Sequence, residues 1–443
     1  MFNRKKNRIK TLNESFGNVK TENFNYNLIS RFHKRNQEQD VIQTISDQTC
    51  NDLDFDLFFG YIDRTHSRIG QQALYHQLRT IKRRDTEFQK QETIIEALKD
   101  QELRNKVQLE LEKLNNRKAY YISDLFQTEP FKKPKWSLII PILSILAFSS
   151  IILSFVSSQF SLILMLLIPV HVLIHFALKR RVSVFIDSIP QLLIMSSVAK
   201  NLIKLNIHPT GSSIKESIKV VAAIKRRMSF FKLDQKIDSD LEAAYWFLIE
   251  MIKIIFLLEP LLLFSSAKKL ENNQKDIQHV FEYVASYDIA ISVLSLRSSV
   301  HDNCIPTINE HAETFVGEGM FHPLIIDCVP NDIDISEKSF LLTGSNMSGK
   351  TTLMRTVGLN ALCALTLNTA FAEQLSIPLI KIYSVIRVSD DLMESTSYFM
   401  TELNLVKEII DDQTTTMKLV LLDELFKGTN TIERIASASA VLS

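Results

Sequence analysis

Cysteine is scarce in this chain, and neither sign of charge is in excess. Four cysteines (Cys50, Cys304, Cys328, Cys363) are scattered over 443 residues without C-x-x-C spacing. That argues against a disulfide framework or a cysteine-ligated zinc site, and fits unpaired thiols in a reducing cytosol. With 51 Lys and Arg against 50 Asp and Glu, the formal net charge of +1 argues neither for nor against nucleic acid as a partner. The N-terminus is basic and polar and lacks the apolar h-region of a secretory signal peptide. One stretch lacks charge altogether: residues 137–178 contain no Asp, Glu, Lys or Arg. What remains is 46% hydrophobic, in a chain long enough for two or three domains.

The charge-free stretch is 42 residues long. A bilayer core takes about 20 apolar residues per helix, so it reads as two spans with a tight turn near Ser157, Ser158 and Gln159. Lys132, Lys133 and Lys135 precede it, and Lys179, Arg180 and Arg181 follow. Positive charge on both flanks predicts a cytoplasmic-membrane protein with both termini inside and the short turn outside. Trp136 suits an interfacial anchor. His171 and His175 fall one helical turn apart, but two ligands make a poor metal site, and no structural metal is expected. The bland alternative, a buried hairpin of a soluble protein, is disfavoured because buried helices are rarely this long and this free of charge. Residues 246–267 are also apolar. There Glu250, Lys253 and Glu259 would each cost about 2.5–3.5 kcal/mol near a bilayer centre, which assigns this stretch to a core helix of the soluble part.

A second apolar run, Phe340-Leu341-Leu342, leads into Thr343-Gly344-Ser345-Asn346-Met347-Ser348-Gly349-Lys350-Thr351-Thr352 and then a helical segment. This is G-x-x-x-x-G-K-[ST] in a strand–loop–helix setting. The glycines let the backbone curl so that N–H groups from Gly344 to Thr352 converge on phosphate oxygens, at the positive end of the following helix. Lys350 is placed to reach the β- and γ-phosphates of ATP, and the Thr351 hydroxyl to sit on Mg²⁺. The competing reading is a Gly-containing turn with no ligand. About seventy residues on, Lys418-Leu419-Val420-Leu421-Leu422-Asp423-Glu424 reads as a buried parallel strand with two acids at its carboxyl end. Asp423 would hold Mg²⁺ through water, and Glu424 would polarise the attacking water.

Between the two lies Asp390-Asp391-Leu392, followed by Ser397-Tyr398-Phe399-Met400-Thr401-Glu402. With the loop, and with Asp423-Glu424-Leu425-Phe426-Lys427-Gly428-Thr429-Asn430-Thr431-Ile432-Glu433, these segments resemble the MutS family, the ATPases of DNA mismatch repair. That family carries T-G-P-N-M-G-G-K-S-T, D-D-L…S-T-F-M-x-E and D-E-x-x-x-G-T-[ST]-x-x-[DE] in this order. The resemblance implies that Ser397 reaches across a dimer interface to the partner's γ-phosphate, giving a homodimer with composite ATP sites and DNA as a partner. L-S-G-G-Q, expected of a transporter ATPase, is absent. Leu57-Phe58-Phe59-Gly60-Tyr61-Ile62-Asp63-Arg64-Thr65-His66-Ser67-Arg68-Ile69-Gly70 resembles the start of the family's helical core, with Asp63 and Arg64 in a structural turn. Tyr287-Asp288-Ile289-Ala290-Ile291-Ser292-Val293 resembles the long helix that enters the ATPase domain, and His322-Pro323 matches the family's H-P. Cys328 stands where the family often places an aromatic that stacks on adenine. The family's mismatch reader works through Phe-x-Glu in an N-terminal domain. Here the one such tripeptide, Phe371-Ala372-Glu373, lies inside the ATPase region.

These readings give an α plus α/β fold: a helical core with a two-helix transmembrane hairpin, then a P-loop ATPase domain of the ABC type, C-terminally incomplete. The expected divisions are a basic polar tail over 1–45 and helical core over 46–131. The hairpin follows over 132–181, a second part of the core over 182–310, and the ATPase domain over 311–443. Arg4, Lys5, Lys6, Arg8 and Lys10 make the tail a solvated terminus, or else a contact for nucleic acid or anionic lipid. The sequence stops within the helix expected after the acidic strand, and the resemblance implies a further strand and a switch histidine beyond. The expected function is Mg²⁺-dependent ATP binding and hydrolysis that closes a dimer on DNA at the membrane. The alternative is a membrane-anchored ATP-dependent switch or scaffold that does not recognise mismatched DNA.

Overall fold

The computed structural model describes all residues except 1, 37–40, 84–85, 128–134, 209–210, 229–239, 311, 336–338, 346–347, 387–397, 427–429 and 443. Helices α1 (Phe2–Ser15), α2 (Arg68–Leu78), α3 (Thr86–Ala97) and α4 (Gln101–Leu111) begin the chain. Helix α2 starts where the Ser67 hydroxyl accepts the Gly70 N–H at 3.0 Å, satisfying an amide that the helix itself leaves free. Residues 1–45 are not the solvated tail expected from their charge. Leu12, Leu28, Ile29, Phe32 and Ile45 are buried, and Arg8 pairs with Glu112 at 2.7 Å. Leu28, Ile29, Phe32 and Ile45 join the main core cluster.

Among the described residues five longer helices follow: α5 (Ile139–Ser154), α6 (Gln159–Lys204), α7 (Ser212–Met228), α8 (Asp240–Ile255) and α9 (Leu258–Asn272). Of the two spans expected, only the α6 segment Gln159–Ala177 is long and apolar enough to cross a membrane. Helix α5 is apolar but has 16 residues, about 24 Å at the helical rise, short of a hydrocarbon core about 30 Å thick. Nor does α6 end at the expected boundary near residue 181. It runs on for 46 residues through Pro169 and Pro190, and its far end buries Ile189, Leu192, Met195, Val198 and Leu202 in the main core. Residues 246–267, read as one core helix of the soluble part, form the end of α8 and the first part of α9, and these pack partly against α5 and α6.

Helix α10 (Gln274–Ser299) is the axis of the core and is buried along most of its length from Ile277 to Leu296. It lies so close to α2 that a Cβ on Gly70 would stand 2.1 Å from Asp288 Oδ2. Asp288 is buried and accepts the N–H groups of His66 and Ser67, both at 2.7 Å. In the same turn Asp63 accepts Lys20 Nζ at 2.8 Å and Thr65 N–H at 2.9 Å. Arg64 donates to the Tyr61 carbonyl at 2.6 Å and the Ser299 hydroxyl at 3.2 Å. Both residues of the Asp63–Arg64 turn are thus committed to pairing, as the sequence reading held.

The remainder is mixed α and β. Strands β1 (Gln43–Thr44) and β2 (Thr80–Ile81) pair antiparallel. Strands β3 (Thr307–Asn309), β4 (Phe315–Met320), β5 (Asn331–Ile335) and β6 (Gln374–Pro378) form a mixed sheet in the order β3-β6-β4-β5. Strands β7 (Ile380–Val385) and β8 (Met417–Leu422) form a separate parallel pair. Helices α11 (Lys350–Leu367), α12 (Tyr398–Asp411) and α13 (Thr431–Leu442) accompany them. The strand expected before the phosphate loop is not formed. Residues 339–345 have no regular structure, and Phe340 and Leu341 are exposed. A strand exists only through its ladder, and among the described residues no neighbour pairs with this run. One hydrophobic cluster nonetheless passes from Phe32 and Phe281 through Phe58 to Leu362 and Ile382.

Candidate nucleotide-binding site

The loop reaches α11 through Gly349, whose φ of +87° lies in the left-handed region. Nothing lies within 4 Å of a Cβ built there, so the backbone angle, not space, calls for glycine. At Gly344 the constraint is spatial: a Cβ would approach Ser348 Oγ to 2.8 Å. Ser348 N–H donates to the Ser345 carbonyl at 3.2 Å, closing the turn. Lys350 Nζ folds back across the loop and donates to the carbonyls of Gly344 and Ser345, each at 2.9 Å. The first amides of α11 have no carbonyl one turn earlier to receive them. They lie at the positive end of an 18-residue helix.

The acidic strand meets this loop directly. Thr351 Oγ1 donates to Asp423 Oδ2 at 2.6 Å, across 72 residues of sequence. Asp423 N–H continues the β7–β8 ladder onto the Val385 carbonyl at 3.0 Å, which fixes its carboxylate at the strand's end. Beyond it Glu424 and Phe426 both adopt positive φ, +46° and +60°. Left-handed backbone is costly for residues with a Cβ. The cost is met in the core under the turn, where Phe426 is fully buried and its ring packs edge-on to Phe399 at 5.6 Å. Glu424 is exposed, next in sequence to Asp423.

The structure therefore brings together Gly344, Ser345, Ser348, Gly349, Lys350, Thr351 and Asp423, with Glu424 adjacent. Thr352 stands in the first turn of α11 and accepts the Thr356 hydroxyl through its carbonyl at 2.9 Å. Asn346, Met347 and Ser397 lie outside the described residues, as do Asp390, Asp391, Gly428 and Thr429. Cys328 accepts the His322 N–H through sulfur at 3.3 Å. Burial, and then the nearby Arg355, hold the His322 imidazole below its ordinary pKa.

Sequence reasoning missed a strap from the N-terminal half. The Gln43 side chain pairs with both the N–H and the carbonyl of Ile382 in β7, at 2.7 and 2.8 Å. Asp52 Oδ2 accepts the Ser384 hydroxyl at 2.7 Å and the Ile386 N–H at 3.0 Å. From α11, Arg355 donates to the Asp52 carbonyl at 2.8 Å and lies 3.2 Å from Asp54. No local pattern marks these residues, because their partners are more than 300 positions away.

An ammonium, a helix N-terminus and a hydroxyl–carboxylate pair form a donor set for a polyphosphate and a hard divalent cation. The residues fit ATP and Mg²⁺. Residues 340–443 match the family model of MutS domain V. The relatives agree. Over 176 residues, 38% of this chain and 18% of the relative, the chain is 32% identical to the DNA mismatch repair protein MutS of Clostridioides difficile. It is 40% identical over 124 residues, 27% of the chain, to 15% of MutS from Thermus aquaticus. It is 32% identical over 201 residues, 42% of the chain, to 17% of the human DNA mismatch repair protein Msh3. These names support the MutS family for the matched part, and the chain spans less than a fifth of the length of each of these three relatives. The loop, the Thr351–Asp423 contact and the kinked turn all lie within the MutS domain V match.

Proposed function

We propose that this chain binds ATP in the manner of a MutS-type protein, and that ATP closes a dimer of it on DNA at a membrane. The observation that carries the nucleotide reading is the 2.6 Å contact between Thr351 and Asp423, which joins the loop helix to the acidic strand. Lys350 and the loop amides from Gly344 to Thr352 take the phosphates. Thr351 and Asp423 hold Mg²⁺, which when bound draws charge from the phosphate oxygens. Glu424, turned to solvent by the left-handed kink, orients the attacking water. Ser397 completes the partner's site. The test is binding of labelled ATP to the full chain in detergent, with and without Mg²⁺. Lys350→Ala should weaken binding by about 100-fold or more, since both loop and phosphates lose their cation. Equal binding by Lys350→Ala would refute the site.

The membrane part of this reading draws its support from Gln159–Ala177. Only 17% of that apolar window is buried, whereas a helix in a soluble core would be mostly covered. We place the chain in the cytoplasmic membrane, with the start of α6 crossing it, α5 lengthened by the exposed apolar Leu138, Phe155 and Val156 at its ends crossing beside it, and both termini inside.

A second reading, an ATP-dependent switch on a client other than DNA, is favoured by one observation. The surface that α5 and the start of α6 expose is apolar, with Ile142, Ile145, Leu162 and Met165 outward, which suits lipid or a membrane partner and offers no cation to a phosphate backbone. Salt separates the two. DNA clamping through phosphate contacts gives affinity that falls steeply between 50 and 200 mM salt, whereas a client other than DNA gives no binding to duplex at either concentration.

A further inference from the structure

Helices α8 and α9 carry the charges that set residues 246–267 apart from a membrane span. The structure turns those charges inward. Glu250 and Glu259 each lie within 4 Å of both Lys253 and His175, at 3.3 and 3.7 Å for Glu250 and 3.4 and 3.9 Å for Glu259. Lys253, Glu259 and His175 are buried, and Glu250 is 15% exposed at its side chain. On the outer side the same helix shows Phe247, Leu248 and Ile252, 60%, 60% and 46% exposed. They extend an apolar surface that already includes Ile142, Ile145 and Phe148 of α5 and Leu162, Met165 and Leu166 of α6. Water outside and charge inside is the wrong way round; hydrocarbon outside makes it consistent.

The turn between the two helices gives an independent argument. At Phe256 and Leu257 the helix breaks, with Leu257 at φ +47° and fully buried against Ile140 and Phe264. A helix break leaves carbonyls without amide partners, which in hydrocarbon must be satisfied by the protein. Here they are. Ser144 Oγ of α5 donates to the Phe256 carbonyl at 2.7 Å, and His171 Nδ1–H of α6 donates to the Ile255 carbonyl at 2.7 Å.

Depth follows from the helical rise. From His171 to the first cation after the span, Lys179, is eight residues, about 12 Å along α6. From the α8–α9 turn to the first cation of α9, Lys268, is about 15 Å along that helix. Both helices therefore reach their cations within about 3 Å of one level, which sets the turn near the middle of a hydrocarbon core about 30 Å thick.

We propose that Asp240–Ile255 and Leu258–Asn272 form a re-entrant hairpin dipping half-way into a lipid bilayer beside α5 and α6, with Glu250, Lys253, Glu259 and His175 as its enclosed ion-pair ring. The occupant of the outer apolar face is lipid hydrocarbon. This rests on the membrane reading above, and the test tells the two apart.

The full chain is reconstituted in phosphatidylcholine vesicles containing lipids brominated at acyl carbons 6,7 or 11,12. The two native tryptophans, Trp136 and Trp246, are replaced by Phe, and a single Trp is returned at position 166, 247 or 252. Leu166→Trp reports on α6 alone, and its quenching by either lipid upholds the membrane reading. The re-entrant hairpin requires that Ile252→Trp, one turn from the tip, be quenched more by the deep bromines. Phe247→Trp should be quenched more by the shallow ones. Quenching at 166 with none at 247 and 252, as when protein or a second copy covers α8, overturns the hairpin and leaves the membrane reading standing. No quenching at any position overturns both. The ring has its own readout. Lys253→Met should lower the unfolding midpoint by roughly 5 °C, and adding Glu259→Gln should recover most of it, because an enclosed charge is costly only when its partner is gone. An unchanged midpoint in Lys253→Met would dispose of the ring.

Discussion

At the scale of single residues, Thr351 and Asp423 divide the work of the site from that of the fold. Asp423→Asn keeps the strand and its amide ladder but removes the negative charge beside the hydroxyl. Nucleotide should still bind, while the dependence of affinity on Mg²⁺ falls by about 10-fold or more. Titrating labelled ATP at several Mg²⁺ concentrations checks this. Gly70 is a different kind of residue, defined by what it lacks. Adding a methyl group 2.1 Å from Asp288 forces α2 and α10 apart. Gly70→Ala should cost about 1–3 kcal/mol, read as a lower denaturant midpoint with ATP affinity intact. Asp288 itself links stability to pH. Burial pushes its pKa up to about 6, against the pull of the Ser67 hydroxyl and two amides. The folded chain then holds a proton that the unfolded chain releases near pH 4. This contribution is complete below that pH and is lost as the pH rises through 6, worth up to about 3 kcal/mol. Unfolding midpoints from pH 4 to 7 should fall more steeply for the natural chain than for Asp288→Asn; parallel slopes would rule the linkage out.

At the scale of elements, the strap made by residues 43–54 ties the helical half to β7 and α11. Asp52→Ala removes the acceptor of Ser384 and Ile386 inside the core and should cost about 2 kcal/mol or more. Hydrogen exchange should report it as faster exchange in β7, with α2 unaffected. The strap was not legible in the sequence, since nothing local distinguishes Gln43 or Asp52 from other polar residues. The turn of the phosphate loop, by contrast, was legible, because the pattern asks for glycine at 344 and 349. The structure gives each a reason, space at Gly344 and a left-handed angle at Gly349. The acidic strand was legible in part: β8 pairs parallel with β7 as expected, but of Met417–Leu422 only Leu421 is buried. The lead-in strand was misread for a related reason. Phe340 to Leu342 has the composition of a strand, but composition does not supply a partner. Apolar spacing likewise called residues 246–267 a helix and said nothing of which way Glu250 and Lys253 turn. That depends on α5 and α6, a hundred residues earlier.

At the scale of the whole molecule, one core unites parts that composition divides. Arg297 near the end of α10 grips Glu92 with two hydrogen bonds, at 2.7 and 2.9 Å, and the Asn368 carbonyl at the end of α11 at 2.8 Å. The axis of the helical core and the helix behind the phosphate loop are thereby clamped end to end. If ATP closes two copies on each other, sedimentation in detergent should show a dimer at saturating ATP and Mg²⁺. It should show a monomer without nucleotide, and a monomer under both conditions for Lys350→Ala. A natural chain that stays monomeric throughout would remove the composite site from consideration. Helix α6 gives such closure a mechanical reach. Its 46 residues, taken through Pro169 and Pro190, span about 69 Å, from an exposed apolar start to a far end wedged in the core at Leu192, Val198 and Leu202. If that start lies in lipid, as proposed, whatever tilts the inner end swings the outer one, and work done on a triphosphate would be felt as leverage on the bilayer.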